Sequence, residues 1–174
     1  MKRAILLVSF GTSYRDAREG SLENIRKDLE QSGKIPVYQA YTSGMIIRKL
    51  SSRGVFIDTV DEALTRILEN HVRRLYVLPT HMIPGIEYRK MLEILSGYKK
   101  YFEEMKVAGP VLNEKEDCAR LLPCLQSVLK FEPQCEYILM GHGTRDRSNI
   151  RYLQMNRAFE EAGLTNVHIA SVAR

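Results

Sequence analysis

The sequence predicts an α/β protein, a parallel sheet flanked by helices, organised as two similar halves of which the second is incomplete. Three observations carry this. Short apolar runs alternate with segments of helical period. The first run is continuously apolar, as in a strand buried on both faces. An apolar strand with a Gly-Thr turn occurs twice, as Val8-Ser9-Phe10-Gly11-Thr12 and as Met140-Gly141-His142-Gly143-Thr144. The first copy continues into a third strand and the His81 to Glu87 segment, whereas the second has no room for an equivalent. The halves are expected over residues 1–113 and 114–174.

Residues 4–10 open the sheet as a central strand, broken by Gly11-Thr12-Ser13. Leu22, Ile25 and Leu29 recur at helical spacing up to a stop at Gly33. Residues 36–41 read as the second strand, and Thr42-Ser43-Gly44 opens a short helix carrying Met45, Ile46, Ile47 and Leu50. Thr59 and Glu62 stand at capping-box spacing before a helix with Leu64, Ile67 and Leu68 as its buried stripe. Residues 75–78 form a third strand ending at Pro79-Thr80-His81. A helix from Glu87 places Met91, Leu92, Leu95 and Phe102 on one face, and a fourth strand is expected over 107–112. The next helix, over 114–129, contains Pro123, which should start, kink or break it. Residues 137–140 are a strand, with Gly141-His142-Gly143-Thr144 expected directly after it. A helix over 149–162 closed by Gly163 and a strand over 167–172 complete the series.

With 44% hydrophobic and 27% charged residues in 174, the chain has globular composition and suits one domain or one and a fraction. The net charge of +5 fits an ordinary basic protein or one that attracts an acidic partner. The basic residues are dispersed and no nucleic-acid-binding motif accompanies them, so a small polyanion fits better than RNA or DNA. Cys118, Cys124 and Cys135 are odd in number, lack CxxC spacing and follow no secretory signal. Reduced thiols in the cytoplasm are expected. No stretch approaches the roughly 20 apolar residues of a membrane span.

In a parallel α/β sheet, ligands bind outside the carboxyl ends of the strands. Ser9 to Ser13, His81 to Glu87 and Gly141 to Thr144 should gather there. The glycines around His142 leave its imidazole unobstructed, able to ligate a borderline divalent metal or accept a proton near neutral pH. The alternative is a strand-end histidine held by a backbone carbonyl. Position 143 is glycine where a nucleophile elbow needs serine, and position 146 is aspartate where a dinucleotide fingerprint needs glycine. Glu87 either complements a helix dipole or aims a carboxylate into the site. His81 is the weaker candidate, and the hydroxyls and amides of Ser9, Phe10, Gly11, Thr12 and Ser13 suit carboxylates or phosphates. His71 and His168 read as structural.

Together these segments resemble the anaerobic sirohydrochlorin cobaltochelatases of the CbiK type, tetrapyrrole metal chelatases of cobalamin synthesis. The resemblance rests on Val8-Ser9-Phe10-Gly11-Thr12-Ser13-Tyr14, Thr42-Ser43-Gly44-Met45-Ile46-Ile47-Arg48-Lys49-Leu50, His81-Met82-Ile83 with Gly85 and Glu87-Tyr88, and Met140-Gly141-His142-Gly143. It covers essentially the whole chain. It implies two α/β halves with a cleft between them, insertion of Co²⁺ into the carboxylate-rich macrocycle sirohydrochlorin, and no tightly bound cofactor. Cobalt is then a substrate, His142 and Glu87 are catalytic and metal-binding, and Ser9 to Ser13, His81 and Gly143 hold the tetrapyrrole. No nucleic acid or membrane partner is implied. The family's second metal-binding histidine, late in its C-terminal half, has no counterpart by motif. An exposed terminal strand leaves homo-oligomerisation open. The alternatives are an iron- or nickel-selective tetrapyrrole chelatase and a non-catalytic tetrapyrrole- or metal-binding fragment.

Overall fold

The computed structural model describes residues 2–173. The chain divides into two compact units, Met1–His81 with Glu87–Gly109 and Met82–Ile86 with Pro110–Arg174. The division expected at 113/114 lies just past the structural one at Gly109. The sequence gives no hint that residues 82–86 group with the second unit.

The first unit holds a parallel sheet of order β3-β2-β1-β4-β5. Its strands are β1 (Lys2–Ser9), β2 (Val37–Tyr41), β3 (Asp58–Thr59), β4 (Val72–Pro79) and β5 (Glu104–Val107). β1 is paired on both edges, to β2 and to β4, and its residues from Ala4 to Ser9 are all buried. One face of β1 (Ala4, Leu6, Val8) joins Ala40 of β2 in a single core with helices α4 (Val60–Glu69) and α5 (Ile86–Tyr98). Val60, Ala63, Leu64 and Ile67 of α4 and Tyr88, Met91 and Leu95 of α5 recur at helical spacing and form that core. Full burial of each large apolar side chain contributes about 1.5–3 kcal/mol. On the opposite face α1 (Arg15–Ala17), a π-helical turn over Arg18–Leu22 and α2 (Glu23–Gly33) connect β1 to β2. The helix α3 (Gly44–Ser51) is capped by the Ser43 hydroxyl, which accepts from the Ile46 amide at 3.4 Å.

The capping box at α4 is complete. Thr59 Oγ1 accepts from the Glu62 amide at 3.2 Å, and the Glu62 carboxylate accepts from the Thr59 amide at 2.8 Å. These bonds hold the Glu62 carboxyl below its usual range. Thr59→Ala is expected to lower unfolding stability by about 1 kcal/mol. Urea denaturation checks this, and an unchanged midpoint would show that the cap is redundant.

The second unit holds α6 (Asp117–Val128), β6 (Tyr137–Gly143), α7 (Ile150–Glu161) and β7 (Val167–Ala173). β6 and β7 form a two-stranded parallel sheet. Tyr152, Met155 and Phe159 of α7 pack with Val167, Leu112, Cys118 and Ile83. Pro123 lies inside α6 rather than ending it. Among the described residues no helix is long and apolar enough to cross a membrane.

Two expectations are corrected. The fourth strand runs over Glu104–Val107, not 107–112. Pro110 has no amide for a ladder, and Leu112 instead fills the core of the second unit. Gly141, His142 and Gly143 belong to β6 instead of following it, since Gly141 pairs with Ser171 and Gly143 with Ala173. Within the ladder Gly141 makes room for the Tyr152 ring. The first helical region, for which the sequence analysis set no start, begins at Arg15 and passes through the π turn, which no periodicity marks.

Candidate functional site

In the first unit the carboxyl ends of β1, β2 and β4 bring Ser9, Thr42 and His81 to one edge of the sheet. The Ser9 carbonyl accepts from the Thr42 amide at 2.9 Å, and the Phe10 carbonyl from the Ser43 amide at 3.2 Å. The Val8 carbonyl accepts from the Thr80 amide at 2.8 Å. Gly11 has φ +97°, and a Cβ there would stand 2.4 Å from Cδ2 of the buried Tyr41 ring. The chain can turn at this point only because that position carries no side chain. Thr12 Oγ1 accepts from the Tyr14 amide at 3.2 Å, and the Ser13 carbonyl accepts from Arg53 at 3.3 Å. Phe10 is exposed, while Gly11, Thr12 and Ser13 are half-buried. Lys49 lies 5.9 Å from the centroid of the exposed Tyr14 ring.

His81 is half-buried, with Nε2 3.5 Å from the Thr42 hydroxyl and its ring edge-on to Tyr88 at 6.0 Å. Its Nδ1 is buried without a hydrogen-bond partner, as are Ser9 Oγ and Tyr41 Oη. Burial pushes the His81 imidazole below its ordinary value, and the Glu87 carboxylate pulls weakly the other way. Glu87 stands in the first turn of α5 and pairs with Lys90 at 3.1 Å. It thus serves the helix terminus whatever else it does.

The depressed His81 has a consequence for stability. Unfolded, its imidazole takes a proton near the ordinary value of about 6.5, while the folded group resists until lower pH. The unfolded state therefore binds more protons below that value, and stability falls as pH drops through this window. The urea midpoint of the wild type is expected to fall more between about pH 7 and about pH 5 than that of His81→Asn. Equal falls would mean that His81 is protonated as easily folded as unfolded.

In the second unit His142 is an exposed residue of β6. Gly141 lies under the Tyr152 ring, where a Cβ would come within 2.9 Å of Cζ. Gly143 has φ +77° and is hydrogen-bonded through its backbone to Tyr152. The following turn is clasped by Asn149, which accepts from the Thr144 amide at 2.9 Å and donates to the Thr144 carbonyl. Asp146 caps the Ser148 amide at 2.9 Å. Gly85 approaches Thr144 and Ser148, and Ile83 enters the same core, so the residues leading into Glu87 pack beside the turn after His142.

His81, Glu87 and the Ser9 to Ser13 turn thus lie in the first unit, and His142 and Gly143 in the second. Among the described residues no group of three or more His, Cys, Asp or Glu side chains is arranged to hold a metal ion. Sequence reasoning missed Tyr152 and Asn149, which shape the His142 strand and its turn. Only the helical register of Tyr152 on α7, and the place of Asn149 just before that helix, could have pointed to them. His71 takes a left-handed φ of 58° just after α4, and His168 lies 3.2 Å from Glu136, away from these loops.

A solved structure shares this parallel α/β fold. SirB from Bacillus subtilis with Fe³⁺ superposes with a TM-score of 0.65 at 13% identity, covering 98% of this chain and 66% of that one. The particular family follows from sequence: residues 3–174 match the cobalt chelatase family CbiK, and the chain belongs to it. Curated relatives include the sirohydrochlorin cobaltochelatase of Salmonella typhimurium, 34% identical over 155 residues, which make up 87% of this chain and 59% of the relative. Another is the sirohydrochlorin cobaltochelatase CbiKC of Nitratidesulfovibrio vulgaris, 29% identical over 87% of this chain and 55% of the relative. The chain therefore spans somewhat more than half the length of these relatives.

Proposed function

We propose that the chain takes part in inserting Co²⁺ into sirohydrochlorin during anaerobic cobalamin synthesis. The family match over residues 3–174 carries this reading. In it the His142 imidazole is the metal ligand, presented by a strand whose neighbouring glycines crowd nothing against it. Glu87 receives pyrrole protons displaced by the metal and supports the cation. The Ser9 to Ser13 turn, His81 and Gly143 hold the macrocycle and its carboxylates. The basic surplus of the chain favours such a polyanion. The three free cysteines suit a reducing compartment, and we place the protein in the cytoplasm.

The test is the visible-absorption change of sirohydrochlorin on adding Co²⁺, with and without the chain, beside parallel runs with Fe²⁺ and Ni²⁺. Cobalt insertion above the uncatalysed rate, and above the other metals, is the expected result. Preference for iron or nickel would reassign the metal. A second reading, stoichiometric tetrapyrrole or metal binding without turnover, draws on the chain spanning only 59% and 55% of its relatives. Saturable binding with no insertion would favour it.

A further inference from the structure

Helices α4 and α5 bury one side each in the core of the first unit, and a solvent-open groove of about 650 Å³ runs between them. α4 lines it with Asp61, Thr65, Leu68 and Glu69, which the helical repeat places in one row. α5 lines it with Glu93, Ile94, Gly97 and Tyr98, and the 3₁₀ turn that follows adds Tyr101. Leu68 and Tyr98 rest on the core, whereas Ile94 and Tyr101 stay 37% and 50% exposed. None of these residues belongs to the Ser9 to Ser13 turn or to the His81 to Glu87 segment.

The charge of the groove opposes that of the chain. The chain carries a net +5, yet the groove is lined by three carboxylates and by no basic residue. Asp61 Oδ1 accepts from Tyr98 Oη at 2.8 Å, a neutral donor that leaves its charge uncompensated. Glu69 and Glu93 have no basic partner among the described residues. The Tyr101 ring holds Lys100 Nζ at 5.0 Å from its centroid, so the aromatic end of the groove already receives a cation.

Gly97 is the second observation. Glycine in the body of a helix is less stable than alanine, and close packing can justify it. Here a Cβ would meet nothing within 4 Å. The missing side chain makes room for no neighbour in the chain; its absence keeps the groove open.

We propose that this groove docks a basic segment of a partner protein. Asp61 and Glu69 stand eight residues apart, about 12 Å along α4. An extended peptide spans about 13 Å in four residues. Two arginine or lysine side chains four residues apart therefore reach Asp61 and Glu69, and an apolar side chain between them lies against Ile94 and Tyr98 over Gly97. Glu93 adds a third carboxylate from the facing helix.

The experiment titrates the isotope-labelled chain with the peptide Arg-Ala-Leu-Ala-Arg, blocked at both ends, and follows backbone amide shifts, a readout independent of cobalt insertion. Saturable shifts confined to α4 and α5 are expected. The double variant Glu69→Gln/Glu93→Gln is expected to weaken binding by roughly tenfold or more. Gly97→Leu is expected to weaken it as much while raising the thermal midpoint of the free chain, because leucine favours the helix. The absence of saturable shifts would overturn the proposal, as would binding indifferent to both variants. Spermidine binding as tightly as the peptide would make the groove a site for small polycations and overturn it too. Shifts in α4 and α5 that grow with concentration of the chain alone would identify a second copy as the occupant and equally overturn it.

Discussion

Replacing His142 by alanine is expected to lower cobalt insertion at least about 100-fold, to the uncatalysed rate. Loss of a group that merely supports a metal ligand already costs 10–100-fold. Loss of the ligand itself sets the upper end of that range as a floor. The substitution is cheap structurally, because the side chain is exposed on β6 and the strand pairs through its backbone. Unfolding stability should stay within about 0.5 kcal/mol of the wild type. This separates chemistry from folding: a folded variant without activity assigns the imidazole to the metal. A folded variant inserting cobalt at the wild-type rate would move the metal ligand elsewhere in the chain.

Gly11→Ala should produce the largest loss of stability among single-residue changes near the candidate site, about 2–4 kcal/mol. Two costs add. The backbone at Gly11 has φ +97°, a conformation that a side chain disfavours, and the new methyl would stand 2.4 Å from the Tyr41 ring. The ring has nowhere to go, since Tyr41 is buried at the end of β2 beside Ser9. Relief has to come from the turn itself, so residues 12 and 13 would move with it. A lowered urea midpoint and weakened tetrapyrrole binding are expected together. A midpoint equal to the wild type would mean that the turn has an alternative path of equal energy.

Much of this was legible in the sequence, for identifiable reasons. β1 announced itself because a strand buried on both faces leaves no polar residue between Ala4 and Val8. The start of α4 was readable because Thr59 and Glu62 form their cap locally, without help from the rest of the fold. Errors came where a tertiary contact overrode a local signal. Val111 and Leu112 continued an apolar run, but Pro110 ended any ladder and Leu112 entered the second core. Gly141 was placed just past the strand because nothing local reveals Tyr152, eleven residues on, lying over it. The motifs around Ser9, His81, Glu87 and His142 were visible as composition at strand ends. The buried, unpartnered atoms of Ser9, Tyr41 and His81 were not, because burial is a property of the assembled sheet.

Residues 82–86 have a bearing on the order of assembly. Their flanks complete the first unit, yet Ile83 settles among Leu112, Met155 and Phe159, and the Met82 carbonyl accepts from the Leu112 amide at 2.7 Å. During synthesis the first sheet can close once β5 has emerged, but this short stretch has no berth until α7 follows. The beginning of α5, with Glu87 in its first turn, therefore stays untethered on its amino-terminal side until α7 has been made. A chain halted before α7 would carry a finished five-stranded sheet with the approach to α5 unfastened, so a segment made later sets the first turn of a helix made before it.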